Sequence, residues 1–144
     1  MRARAVALAL LASVTACAST PTLSCVTDDS AICSPLYTPT FDSIFARTLK
    51  PKCALNGANC HASEGAQAGL VLDDEARAYA LLLGASAANG GDGRARVTPG
   101  GVSCSVLIER IASTDPGLQM PRGLALDASE RCGIEQWVAA GAKR

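Results

Sequence analysis

Cys53, Cys60 and His61 stand within one short stretch, CALNGANCH, and His61 is the only histidine of the 144-residue chain. Two thiols beside an imidazole admit three chemistries. The thiols can oxidise to each other, they can join a tetrahedral metal set with a further cysteine, or they can form thioethers to a porphyrin whose iron takes the imidazole nitrogen. Porphyrin attachment ordinarily uses Cys-x-x-Cys-His, in which both sulfurs rise from one helical turn. Here six residues, ALNGAN, separate the cysteines, and a spacer of that length containing Gly57 must loop out of the turn. The same loop lets its ends meet as a Cys53–Cys60 disulfide. For zinc, the spacing matches no paired-knuckle pattern.

A single histidine excludes sites that need two or three imidazoles within one chain, such as catalytic zinc or copper electron-transfer centres. It also leaves a Ser-His-Asp triad with only His61, and no nucleophile elbow occurs anywhere. A second candidate ligand is Met120, in the stretch STDPGLQMPRG, which Pro116 and Pro121 keep from being helical. Methionine on a loop, next to proline, is an unusual place for plain packing. Histidine with methionine is the axial pair of electron-transfer haem iron.

The elements that must position these residues follow from periodicity. Phe41, Ile44, Phe45 and Leu49 form one helical stripe, with Thr40 as cap and Pro51 closing the segment just before Cys53. After His61 the residues ASEGAQAG form a loop. A second helix starts at Asp73 and ends at Gly84, and a Gly-rich stretch from Ala85 to Gly101 follows. Ser103 caps a third helix carrying Val106, Leu107, Ile108 and Ile111. The last helix starts with Asp127 and Glu130 at capping-box spacing, carries Ile134, Trp137 and Val138, and stops near Gly141. No stretch alternates as a β-strand. The expected class is all-α, with long loops.

The chain opens MRARAVALALLASVTAC, two arginines followed by an apolar run and small residues. This is the pattern of an export signal, too short to stay as a membrane span. VTAC resembles the bacterial lipoprotein box, so residues 1–16 are expected as a lipoprotein signal peptide and Cys17 as the lipidated first residue of the mature protein. The expected location is the periplasmic side of a bacterial membrane, or the cell surface, held by that lipid anchor. Losing Arg2 and Arg4 turns a balance of 13 basic and 13 acidic residues into about −2, which offers no footprint for nucleic acid. Residues 17–39, rich in Ser, Thr, Pro and Asp, are expected as a flexible tether.

Four further cysteines lie in what remains. Cys25 and Cys33 are close in sequence and most simply pair with each other as a small loop in the tether, which leaves Cys104 with Cys132 by elimination. Four cysteines admit three pairings. Aromatic residues make up only 3 % of the chain, so a core of about a hundred residues calls for crosslinks or a buried cofactor.

Taken in order, an aromatic-bearing helix, Cys…Cys-His, GLVL, VTPGG with SVLIERI, Met-Pro and WVAAGA resemble the cytochrome c-like domains of exported bacterial proteins. The likeness runs from about Phe41 to Ala142. It implies a small cytochrome c-like helical domain over residues 40–144 that binds one covalent haem c. It further implies thioethers at Cys53 and Cys60, His61 and Met120 as axial ligands, and redox partner proteins outside the cytoplasm. Single-electron transfer is the implied activity, with no enzymatic turnover of a substrate. The stretched spacer departs from the family pattern. If it excludes the porphyrin, the alternative is a haem-free, disulfide-stapled lipoprotein that uses the same fold as a structural or interaction module.

Overall fold

The computed structural model describes residues 21–55, 60–84 and 93–144. The segment expected as a signal peptide at 1–16, Cys17 and residues 56–59 of the spacer lie outside the described residues. Helix α1 (Phe41–Ile44) continues without a break as a π-helical segment (Phe45–Cys53). After a single 3₁₀ turn (Gln67–Gly69) come α2 (Glu75–Gly84), α3 (Val106–Ala112) and α4 (Ala128–Ala139). Thr98 and Gly101 form an isolated β-bridge, no strand is formed among the described residues, and the fold is all-α. None of the described helices is long and apolar enough to cross a membrane.

The first helix starts where its cap requires. The Thr40 hydroxyl accepts the Ser43 N–H at 3.4 Å, satisfying a donor that the first turn leaves without a partner. Its end differs from expectation, because Pro51 lies inside the helical segment and Cys53 completes it. A proline ring ordinarily collides with the carbonyl four residues back. The wider π turn moves that carbonyl aside, so the chain stays helical and delivers Cys53 in its last turn. The third helix also differs, starting two residues beyond the segment expected from Ser103. The Ser105 hydroxyl accepts the Thr98 N–H at 2.9 Å and donates to the Gly101 carbonyl at 2.6 Å, so it fastens the Thr98–Gly101 turn instead of capping a helix. In α4 the expected cap is present, Glu130 accepting the Asp127 N–H at 3.0 Å.

Few aromatics suffice because they meet. The Phe41 ring lies 5.3 Å from Trp137 and 5.0 Å, edge-on, from Tyr79, joining α1, α4 and α2 at one point. Trp137 is buried, and its indole N–H donates to the Lys143 carbonyl at 2.7 Å. Ile44, Leu72, Leu82, Ile108 and Ile134 close around this centre. Each such side chain contributes about 1.5–3 kcal/mol by leaving water.

The segment expected as a free tether is instead a strap laid along the domain from Leu23 to Pro39. Leu23 packs with Val106 and Leu118, the Val26 N–H donates to the Ser103 carbonyl at 2.9 Å and the Leu36 N–H to the Ser129 carbonyl at 3.0 Å. Tyr37 bonds Thr48 of the π-helical segment, and its ring comes so close to α4 that a Cβ at Gly133 would stand 3.2 Å from it. This route overturns both expected disulfides, Cys25–Cys33 and Cys104–Cys132. The bridges are Cys25–Cys104, with Cα atoms 4.5 Å apart, and Cys33–Cys132, at 5.8 Å. The strap carries Cys25 to the start of the α3 region and Cys33 to α4, so closeness in sequence lost to the path of the chain. The bridges close loops spanning 79 and 99 residues, and in the chain-entropy account a long loop restricts the unfolded chain more than a short one.

Candidate functional site

Three segments supply the candidate ligands and one cleft receives them. Cys53 comes from the end of the π-helical segment, Cys60 and His61 open the loop that follows, and Met120 comes from the loop after α3. All four line a cavity of about 270 Å³, several times the share of volume of a water molecule, about 30 Å³. Its walls are mainly aliphatic, with Leu49, Leu70, Leu72 and Leu82 on one set of elements and Val106 and Ile111 on α3.

The His61 N–H donates to the Cys53 carbonyl at 3.1 Å, a bond that draws the two ends of the spacer together. His61 also accepts from the Leu72 N–H at 2.6 Å through its carbonyl, so its backbone is held on both sides. In the side chain, Nδ1 lies 3.1 Å from the Gln67 carbonyl oxygen. Since a carbonyl only accepts, Nδ1 carries the proton and Nε2 keeps a lone pair. Burial pushes the imidazole below the ordinary histidine range, against the raising effect of its backbone hydrogen bonds. His61 is therefore neutral at neutral pH, as a metal ligand must be. The loop behind it is clasped where the Ser63 N–H and hydroxyl both donate to Asp73, each at 2.8 Å. Those bonds hold the Asp73 carboxyl below its usual range.

Cys53 and Cys60 are free thiols. Burial, helped by the neighbouring Cys60, pushes the Cys53 thiol up to about 12, so it is protonated at neutral pH and a poor thiolate. Among the described residues no group of three or more His, Cys, Asp or Glu could hold a metal ion. Among the described residues the fourth ligand of a tetrahedral zinc set is missing too, because Cys25, Cys33, Cys104 and Cys132 are all committed to bridges.

The Met120 loop is shaped by its own backbone. Leu118 and Gln119 both donate to the Asp115 carbonyl, at 3.0 and 2.7 Å, and Met120 donates to the Arg110 carbonyl of α3 at 2.9 Å. The Arg110 guanidinium donates back to the Leu118 carbonyl at 3.1 Å. The sulfur-bearing side chain is thus presented from a loop tied to α3 at two points. All four residues singled out by type and spacing share this one cleft.

Sequence reasoning missed Arg96, which lines the same cavity and is only 7 % exposed. GRARVTPGG reads as a flexible connection; the one signal against that is Val97 and Val102, apolar residues that mark the chain re-entering the core.

Compared with family models, residues 58–122 match the one described as Planctomycete cytochrome C. The matched span contains Cys60, His61 and Met120 and begins after Cys53. No curated protein and no solved structure matches the chain.

Proposed function

From the cytochrome c-like domain that this chain carries, we infer a protein that holds one haem c covalently and passes single electrons between partner proteins outside the cytoplasm. The observation that carries this reading is the convergence, on one aliphatic cleft, of two free thiols, an imidazole whose Nδ1 faces the Gln67 carbonyl and a methionine. These residues fit the group in kind and number. Cys53 and Cys60 would hold it through thioethers, and His61 and Met120 would bind its iron. Haem supplies the one-electron couple of its iron.

The chain's own contribution is positioning and exclusion of water. Gln67 fixes the histidine tautomer, the Cys53–His61 backbone bond holds the thiols and the imidazole in a common frame, and the α3 contacts hold Met120. The leucines of the wall keep the site dry, which strengthens every charge interaction inside it. Methionine as one ligand favours a raised potential.

The deciding test is production in a host with c-type cytochrome maturation. The expected product is red, heavier by one haem, and keeps its colour through acid-acetone extraction because thioethers are covalent. A colourless product with Cys53 and Cys60 joined, two mass units lighter for that pair, would instead support the haem-free stapled module.

Export and anchoring belong to the same proposal and rest on the opening sequence. Residues 1–16 serve as the signal peptide and Cys17 carries the lipid. Changing Cys17 to Ser is expected to move the protein from the membrane to the soluble exported fraction. Unchanged partition would remove the anchor.

A further inference from the structure

Charge is segregated around the cleft. The whole chain has 13 basic and 13 acidic residues, yet among the described residues the cleft is lined by Lys52, Arg96, Arg110 and Arg122 and by no carboxylate. Lys52 is neutralised by Glu130 at 2.7 Å. Arg96 differs. Its guanidinium donates to the Leu81 carbonyl at 2.9 Å and to the Ala68 carbonyl at 2.7 Å, both neutral acceptors, while the residue is 7 % exposed. Arg94, two positions earlier, makes the opposite arrangement, forking both its terminal nitrogens onto the Glu109 carboxylate. One arginine brings its counter-charge with it and the other does not.

A buried guanidinium without an anion is costly, and two neutral bonds leave most of its five N–H donors unspent. We infer that Arg96 is the carboxylate-binding residue of the cleft, completed when the bound molecule places an acidic group against it. This assignment rests on the haem reading above, and haem carries two propionate carboxylates. The planar guanidinium suits such a group in the two-bond geometry that lysine cannot reproduce.

Its second duty follows from position. Ala68, whose carbonyl Arg96 holds, adjoins Gln67, whose carbonyl fixes the His61 ring. Ala68 itself sits in the left-handed region, at φ 55°, a conformation that a non-glycine residue keeps only when its surroundings hold it. Arg96 is thus the bridge between the acid end of the ligand and the loop that orients the axial histidine.

The test uses the full chain with Cys53→Ser and Cys60→Ser, so that binding is reversible, titrated with iron protoporphyrin IX and separately with its dimethyl ester. Both probes offer the same iron and differ only in free carboxylates. The unaltered Arg96 is expected to favour the free acid by roughly ten- to a hundredfold, the range of a charge-assisted bond. Arg96→Gln is expected to erase that preference and Arg96→Lys to keep part of it. Equal binding of acid and ester with Arg96 present, or a preference that survives Arg96→Gln, would overturn the assignment alone. Failure to bind either porphyrin would overturn the haem reading, and the assignment with it.

Discussion

Replacing His61 with Ala is expected to yield almost no holoprotein in a competent host, whereas Met120→Ala is expected to yield a red protein whose haem stays attached, with a shifted spectrum and a lowered potential. The asymmetry follows from how each residue is built in. His61 lies next to Cys60, and its imidazole is the only one in the chain; its backbone survives the substitution, but the site then offers the iron no imidazole when the thiols bond. Met120 is held by its own backbone N–H on the Arg110 carbonyl, a bond that alanine keeps, so the loop remains while the sulfur is lost. Because methionine favours the reduced iron, its removal moves the potential down. An unaltered spectrum and potential in Met120→Ala would show that some other group takes the sixth position. Normal haem yield in His61→Ala would remove the histidine from the site.

The largest effect on stability is expected from the strap. Removing Cys33 and Cys132 together opens a bridge whose ends lie 99 residues apart; with Cys25–Cys104 still closed the loop it shuts is shorter than that, and the chain-entropy account assigns the closure roughly 4 kcal/mol. That is a large share of the 5–15 kcal/mol total of an ordinary domain. Urea unfolding of Cys33→Ala/Cys132→Ala against the parent protein measures it. The same variant reads the connectivity, since Cys25 and Cys104 remain bridged if the pairs are as described. Finding those two as free thiols in unreduced peptide maps would overturn the described connectivity.

Local physics was legible in the residues and long-range routing was not. The Asp127–Glu130 cap, the stripe of Phe41, Ile44, Phe45 and Leu49, and the loop placement of Met120 each depend on a few neighbours, and each is found where periodicity and punctuation put it. Pro51 misled because its clash is conditional on the α turn, and the π turn relieves it. Cys25 and Cys33 misled because no periodicity marks the path of a strap; only Leu23 against Val106 and Tyr37 against Gly133 reveal that residues 23–39 follow the helices. Arg96 was hidden in the same way. A charged residue between glycines reads as solvated, and its burial appears only when Leu81 and Ala68, distant in sequence, turn their carbonyls toward it.

The two bridges interleave along the chain, each having one end inside the span that the other closes. Cut the backbone once at any point between residues 26 and 131 and the two pieces stay covalently joined, because every such cut leaves at least one bridge across it. A cut between His61 and Met120 would put the two proposed iron ligands on separate peptides, yet both bridges would span that break whenever it falls before Cys104. Under oxidising conditions the molecule therefore tolerates a severed main chain as a single object, and it gives up that tolerance only when its disulfides are reduced.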